Sequence, residues 1–136
     1  MILVDTSALV AALTPKAQEH HQVLAALLQA QSPLLISPFV LAELDYLVQR
    51  RLGKEAQLKL LEEVRRGAYR LELFSAGDLE DAQNVVRKYK DLEISLADAS
   101  IVVLANRNRT KSVLTLDQKH FRVLQTANGE PFELLP

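Results

Sequence analysis

Short apolar runs alternate with longer segments of helical periodicity along this chain. The runs predict four strands, at Ile2–Val4, Leu34–Ile36, 71–74 and 112–115. Three of the four are nearly continuous hydrophobics, as expected of strands covered on both faces. Residues 132–135 predict an additional edge strand. Strands that are separated by helices pair in parallel. The alternation therefore predicts an α/β fold, a three-layer α/β/α sandwich with a mainly parallel sheet of four to five strands.

The segments between these runs carry apolar residues at a 3.6-residue period, which predicts helices. One helix is expected directly after Asp5 and a short one after Asp117. The others are predicted over residues 17–30, 39–52, 55–66, 78–89 and 96–107. No linker, internal repeat or low-complexity tract interrupts the pattern, so we expect one domain spanning residues 1–136.

Composition excludes several classes of site. The chain has 16 Lys+Arg against 17 Asp+Glu, so any nucleic-acid binding must use a local basic patch. The absence of cysteine excludes disulfides, thiolate zinc sites and cysteine nucleophiles. The sequence shows neither a secretory signal nor a membrane span, which predicts a cytoplasmic protein.

Four carboxylates lie between a predicted strand and the following helix, or in the first turns of a predicted helix: Asp5, Glu43, Asp98 and Asp117. Because ligands bind at the carboxyl ends of strands in open α/β sheets, Asp5 and Asp117 are expected at that edge. If the fold gathers all four, they form an anionic pocket suited to a hard divalent cation, which could activate water against a phosphodiester.

Three of these acids also have a purely structural explanation. Asp5 and Asp117 fit the N-cap position of a helix, and Ser95 with Asp98 fits a capping box. Glu43 does not fit a cap, since it falls in the second turn of a helix that starts at Pro38. Its helical neighbours are all apolar or aromatic, so we expect it to be partly buried. Those neighbours are Phe39, Val40, Tyr46 and Leu47.

The chain resembles the PIN-domain ribonucleases, specifically the VapC toxins of prokaryotic type II toxin–antitoxin pairs. Four stretches carry the resemblance in the family's order: ILVDTSAL at residues 2–9, SPFVLAEL at 37–44, LADA at 96–99 and LTLDQKHF at 114–121. Each motif alone is weak, whereas the ordered set covers nearly the whole chain and is specific.

The resemblance implies that Asp5, Glu43, Asp98 and Asp117 coordinate Mg²⁺, for which Mn²⁺ can substitute. Asp5 and Asp98 would be the most direct ligands, and Glu43 would act through water or as the base. Asp117 would complete the site. Ser7 and Thr115 would lie beside the metal or the scissile phosphate, although local capping fits them equally.

The resemblance further implies endonucleolytic cleavage of structured RNA in the translation apparatus by metal-activated water. The substrate would be a tRNA or the sarcin–ricin loop of ribosomal RNA, and likeness to mycobacterial VapC sequences favours the latter. The implied partners are a VapB-type antitoxin that blocks the acidic pocket and a second copy of the chain in a homodimer.

Cationic residues near the predicted site are few. Lys119 and Arg122 flank Asp117 and are the best placed to meet a phosphate backbone. Arg50 and Arg51 end the Glu43 helix and are expected to be solvent-exposed. His120 could touch substrate, but a surface position is favoured.

Other functions fit less well. A receiver-type signalling domain needs an acidic pair after its first strand, and Asp5 has no acidic neighbour. A haloacid-dehalogenase-type phosphatase needs Asp-x-Asp there, and residue 7 is Ser. A PIN domain that matures RNA, or that only binds it, remains open. The intact quartet disfavours the binding-only form.

Overall fold

The computed structural model describes all residues from 1 to 136, and its centre is a five-stranded sheet in which every pairing is parallel. The strand order across the sheet is β3-β2-β1-β4-β5. The strands are β1 Ile2–Val4, β2 Leu34–Ile36, β3 Arg70–Leu71, β4 Ser112–Leu114 and β5 Glu133–Leu135. The predicted α/β class and the parallel sheet are confirmed.

Seven helices flank the sheet, in the segments where the periodicity predicts them. They are α1 Thr6–Leu13, α2 His20–Gln29, α3 Pro38–Leu52, α4 Lys54–Arg65, α5 Ala76–Lys88, α6 Leu96–Asn108 and α7 Gln118–Phe121. None of them is long and apolar enough to cross a bilayer.

The third strand is shorter than predicted. Pairing with β2 is limited to Arg70 and Leu71, although the amide of Glu72 still donates to the carbonyl of Ile36. Leu73 is 84% exposed, because the chain leaves the sheet there to enter the capping box that starts α5 at Ser75. The edge strand expected at 132–135 is present as β5.

The helix α6 is the most deeply buried helix of the fold. All of its residues from 97 to 105 are buried, which explains why its sequence shows little separation of polar and apolar faces. It packs against α3 and α5. The hydroxyl of Ser37, which caps α3, lies 2.7 Å from that of Ser100 on α6, so the start of α3 is tied to α6.

The strand order places a topological switch point between β1 and β4. From β1 the chain moves outward through β2 to β3, and β4 then returns to the other side of β1 and continues to β5. Ligands in open parallel sheets bind outside the carboxyl ends of the strands at such a point. Asp5 and Thr115 directly follow β1 and β4, and both therefore lie at that edge.

Candidate active site

Asp5 is the buried centre of the site. Its Oδ2 accepts hydrogen bonds from Thr115 Oγ1 at 2.7 Å and from Ser7 Oγ at 2.9 Å, and the residue is only 5% exposed. Although Asp5 precedes α1, its side chain makes no capping hydrogen bond. Asp5 therefore occupies the N-cap position of α1, but capping does not account for its carboxylate, which the two hydroxyls hold instead.

Two hydroxyls fix Asp5 and also organise the chain after β4. Ser7 Oγ accepts from the amide of Leu116 at 2.9 Å, and Thr115 Oγ1 accepts from the amide of Asp117 at 2.9 Å. Ser7 and Thr115 thus lie beside a predicted metal ligand, while their contact with the metal or the scissile phosphate stays a prediction. They join the corner between β1 and α1 to the corner between β4 and α7.

Asp98 both caps α6 and belongs to the site. Its Oδ2 accepts from the amide of Ser95 at 3.1 Å while its own amide donates to Ser95 Oγ, which is the predicted capping box. Its Oδ1 makes no hydrogen bond within the protein. One carboxylate oxygen is thus used for the helix, and the other remains available to a ligand.

Asp117 and His120 form a pair at the start of α7. Asp117 Oδ2 lies 3.0 Å from His120 Nδ1, and the same nitrogen lies 3.6 Å from Asp98 Oδ2. Asp117 also caps α7 through a long bond from the amide of His120. The expected surface position of His120 is wrong, because its side chain is 21% exposed and lines the same cleft as the two carboxylates.

Glu43 lies on the wall of this cleft but is exposed and makes no hydrogen bond or ion pair. The expectation that it is partly buried is wrong. The buried stripe of α3 consists of Val40, Leu44 and Val48. Tyr46, whose aromatic side chain suggested a buried surface around Glu43, is itself 57% exposed.

The cleft has a volume of about 460 Å³, and five carboxylates line it: Asp5, Glu43, Glu93, Asp98 and Asp117. All four acids of the predicted quartet are therefore brought together. Sequence reasoning missed Glu93, although its place two residues before the Ser95 cap is a usable signal. It also missed Arg51, which is exposed as expected but is the only arginine or lysine in the cleft lining.

Burial acts against the negative charge of the two innermost acids. Desolvation raises the pKa of Asp5, opposed by its bonds to Thr115 and Ser7. Desolvation likewise raises the pKa of Asp98, opposed by the Ser95 amide and by His120, while Asp117 adds repulsion. The cleft therefore holds carboxylates that are ionised only at a cost unless a cation compensates them.

The residues of the cleft fit a divalent cation. Donor atoms of Asp98, Asp117 and His120 lie within 4.8 Å of one another, and the remaining donors are carboxylate and hydroxyl oxygens, which suit Mg²⁺ or Mn²⁺. Thr6 Oγ1, from the same lining, is buried without a hydrogen-bond partner. Five carboxylates beside an unsatisfied buried hydroxyl fit a metal-binding cleft, because a cation would balance the negative charge and its bound water would give the hydroxyl a partner.

The two cations predicted to bind substrate lie outside the cleft lining. Lys119 on α7 and Arg122, which directly follows that helix, are both exposed, and Arg122 donates to Gln118. A contact between either residue and an RNA backbone stays a prediction.

Comparison with known proteins agrees with this geometry. The PIN domain family model matches residues 2–125. Ribonuclease VapC26 of Mycobacterium tuberculosis is 42% identical over 135 residues, which cover 99% of this chain and 100% of that protein.

Two solved structures show the same fold. The first is VapC20 of Mycobacterium tuberculosis, described as a sarcin–ricin loop cleaving toxin, with a TM-score of 0.79 and 23% identity over 86% of this chain and 90% of that one. The second is a toxin–antitoxin complex from Klebsiella pneumoniae, with a TM-score of 0.67 and 21% identity over 91% and 92%.

Proposed function

Because this chain belongs to the PIN-domain family and is a ribonuclease of the VapC type, we propose that Asp5, Glu43, Asp98 and Asp117 hold the divalent cation with which it cuts RNA. One observation carries the proposal: four separate segments of the chain bring these carboxylates to one cleft at the switch point of the sheet. Helix capping does not explain why the Asp5 carboxylate is buried here, since its side chain makes no capping hydrogen bond.

The protein side chains divide the work of hydrolysis between them. Mg²⁺ or Mn²⁺ bound in the cleft would lower the pKa of water and stabilise charge on the scissile phosphate. Ser7 and Thr115 fix the orientation of Asp5, and His120 fixes that of Asp117. Glu43 is exposed and unpaired, so it would hold the cation through a water molecule, and its carboxylate is free to accept the proton of the attacking water.

The proposed substrate is structured RNA of the translation apparatus, with the sarcin–ricin loop of ribosomal RNA favoured over tRNA. The fold shared with the sarcin–ricin loop cleaving toxin VapC20 supports that preference. Aromatic residues make up only 5% of the chain, so few side chains are available to stack on bases. The shape and backbone of the RNA must therefore contribute most of the recognition. A protein with this substrate would act in the cytoplasm.

The proposed partners are a VapB-type antitoxin, which would block the acidic cleft, and a second copy of the chain. The toxin–antitoxin complex from Klebsiella pneumoniae supports the first by its shared fold. Exposed apolar side chains support the second, since Leu79, Val86 and Leu96 line one hollow of about 630 Å³. The single sheet runs from residue 2 to residue 135, which supports one domain over 1–136.

The test is to incubate the pure protein with total RNA and Mg²⁺ or Mn²⁺, with and without EDTA, and to map the new RNA ends. We expect cleavage at one site that EDTA and the Asp98→Asn substitution both abolish. Glu80→Gln, which removes one exposed negative charge on α5, is the matched control and should cut normally. Cleavage that survives EDTA or Asp98→Asn would overturn the proposal.

A second arm addresses the toxin role. Overexpression should arrest growth, and co-expression of the adjacent antitoxin gene should restore it. A maturation nuclease would instead be harmless when overexpressed, which would overturn the toxin role while leaving the nuclease assignment intact.

A further inference from the structure

Arg51 lies on the same stripe of α3 as Glu43. Glu43, Leu47 and Arg51 follow one another at four-residue spacing, and all three line the acidic cleft. At a rise of about 1.5 Å per residue, Arg51 is about 12 Å further along the helix axis than Glu43. The helix thus carries a carboxylate at the reaction centre and a cation at the far end of the same wall.

Arg51 is free to bind a ligand, which distinguishes it from nearly all the other arginines. Only Arg51 and Arg109 donate no side-chain hydrogen bond, and Arg109 ends α6 outside the cleft. The other arginines are held by side chains or carbonyls of the protein. The Arg51 guanidinium therefore offers all of its donors to a ligand in the cleft.

A role in stabilising α3 does not explain this placement. Cations in the last turn of a helix interact favourably with its macrodipole, and both Arg50 and Arg51 occupy the last turn of α3. Arg50, however, donates to the hydroxyl of Tyr46 and lies over its ring, and it is not part of the cleft lining. Arg50 and Arg51 thus share the favourable interaction with the helix macrodipole, but only the Arg51 side chain lines the cleft.

We propose that Arg51 is a positioning residue that binds a phosphate of the RNA flanking the one that is cut. The inference rests on the proposed ribonuclease function. Five carboxylates line the cleft and repel a polyanion, and Arg51 is the only arginine or lysine among the lining residues to attract one. The planar guanidinium binds phosphate oxygens in pairs, which fixes the direction of the strand as well as its distance.

Its distance from Glu43 determines the kinetic effect. A group about 12 Å along the helix from the reaction centre contacts the substrate equally in the ground state and in the transition state. Loss of Arg51 is therefore expected to raise KM with little change in kcat. A residue that acted on the scissile phosphate itself would lower kcat.

The experiment compares Arg51→Gln, Arg51→Lys and Arg50→Gln, each built on Asp98→Asn so that RNA is bound but not cut. The probe is a fluorescein-labelled RNA hairpin with the sarcin–ricin loop sequence, and anisotropy gives its affinity between about 50 and 200 mM KCl. Because attraction to the backbone is independent of sequence, this hairpin reports on Arg51 whichever RNA is the natural substrate.

We expect Arg51→Gln to weaken binding about tenfold and to make the slope of log affinity against log salt shallower by about 0.7 to 0.9, the value for one lost phosphate contact. Arg51→Lys should keep the slope, since it keeps the charge. Arg50→Gln should match the parent in affinity and in salt slope. In the cutting protein, Arg51→Gln should raise KM and leave kcat within about twofold.

Equal salt slopes for Arg51→Gln and Arg50→Gln would overturn the assignment, as would a fall in kcat with KM unchanged. Arg51 is exposed and unbonded, so the variants should melt at the parental temperature, and a thermal scan checks this. Absence of chelator-sensitive cleavage by the unsubstituted protein would contradict the proposed function instead, so the two failures are distinguishable.

Discussion

Thr115 Oγ1 donates a 2.7 Å hydrogen bond to Oδ2 of Asp5, joining two residues that are 110 positions apart in the chain. The bond exists because β1 and β4 are parallel neighbours whose carboxyl ends coincide. The same hydroxyl accepts from the amide of Asp117, so one small side chain links two acids of the quartet. Stability and the proposed catalysis therefore meet at Thr115.

Replacing Thr115 with Val is expected to reduce both the stability of the protein and its cleavage of RNA. The change keeps the shape but leaves the amide of Asp117 without its acceptor, at a cost of about 1–3 kcal/mol in the free energy of unfolding. Cleavage should fall because Asp5 loses one of two orienting donors. The matched control is Thr110→Val, which removes a hydroxyl bonded to Met1 and Ser112 away from the cleft. Both variants leave a backbone amide without its acceptor and should lose stability in urea, but only Thr115 contacts Asp5, so cleavage rates should separate them. Equal activity would contradict the role of Thr115.

Asp5→Asn is expected to abolish cleavage while stabilising the metal-free protein. The amide oxygen can still accept from Ser7 and Thr115, and the buried negative charge disappears. We expect a higher melting temperature in EDTA, by about 3 °C for each kcal/mol gained. A lower melting temperature would show that the charge of Asp5 stabilises the fold.

The burial of the Asp5 carboxylate should also make the stability of the metal-free protein depend on pH. Burial raises the folded-state pKa of Asp5 above its unfolded value of about 4, so the folded state binds its proton more tightly. The stabilising contribution of that proton is complete below pH 4 and is lost as the pH rises through the folded pKa. In EDTA, the stability advantage of Asp5→Asn over the parent should therefore grow as the pH is raised from about 4. An advantage that is constant with pH would contradict this account.

Sequence reasoning located the acids better than it described their surroundings. The β–α alternation predicts that Asp5 and Asp117 share an edge, and the Ser95–Asp98 spacing predicts a capping box that is present. The exposure of Glu43 could not be predicted, because the packing of α3 against its neighbouring helices selects Val40, Leu44 and Val48 as its buried stripe.

Contacts between segments that are distant in the chain determine the features that the sequence did not predict, namely the positions of His120 and Arg51 and the end of the third strand. His120 points into the cleft, where its Nδ1 lies 3.0 Å from Asp117 Oδ2 and 3.6 Å from Asp98 Oδ2 on a different helix. Arg51 lines the cleft because α3 runs along its wall. The four-residue spacing from Glu43 to Leu47 to Arg51 is visible in the sequence, but the position of α3 beside the cleft is not. The third strand stops at Leu71 because the chain turns towards the Ser75 cap.

Glu43→Gln should separate activity from stability. Glu43 is exposed and bonded to nothing, so the free energy of unfolding should change by less than about 0.5 kcal/mol. Cleavage should fall at least about a hundredfold if the carboxylate accepts the proton of the attacking water. Glu80→Gln is again the charge-matched control. Parental activity in Glu43→Gln would remove Glu43 from the mechanism.

The central claim is that the carboxylates of the cleft bind a divalent cation, and calorimetric titration of the metal-free protein with MnCl₂ tests it without any RNA. We expect saturable Mn²⁺ binding by the parent and by Glu80→Gln, and a loss of at least about tenfold in affinity in Asp5→Asn and Asp98→Asn. Unchanged Mn²⁺ affinity in both aspartate variants would contradict the account.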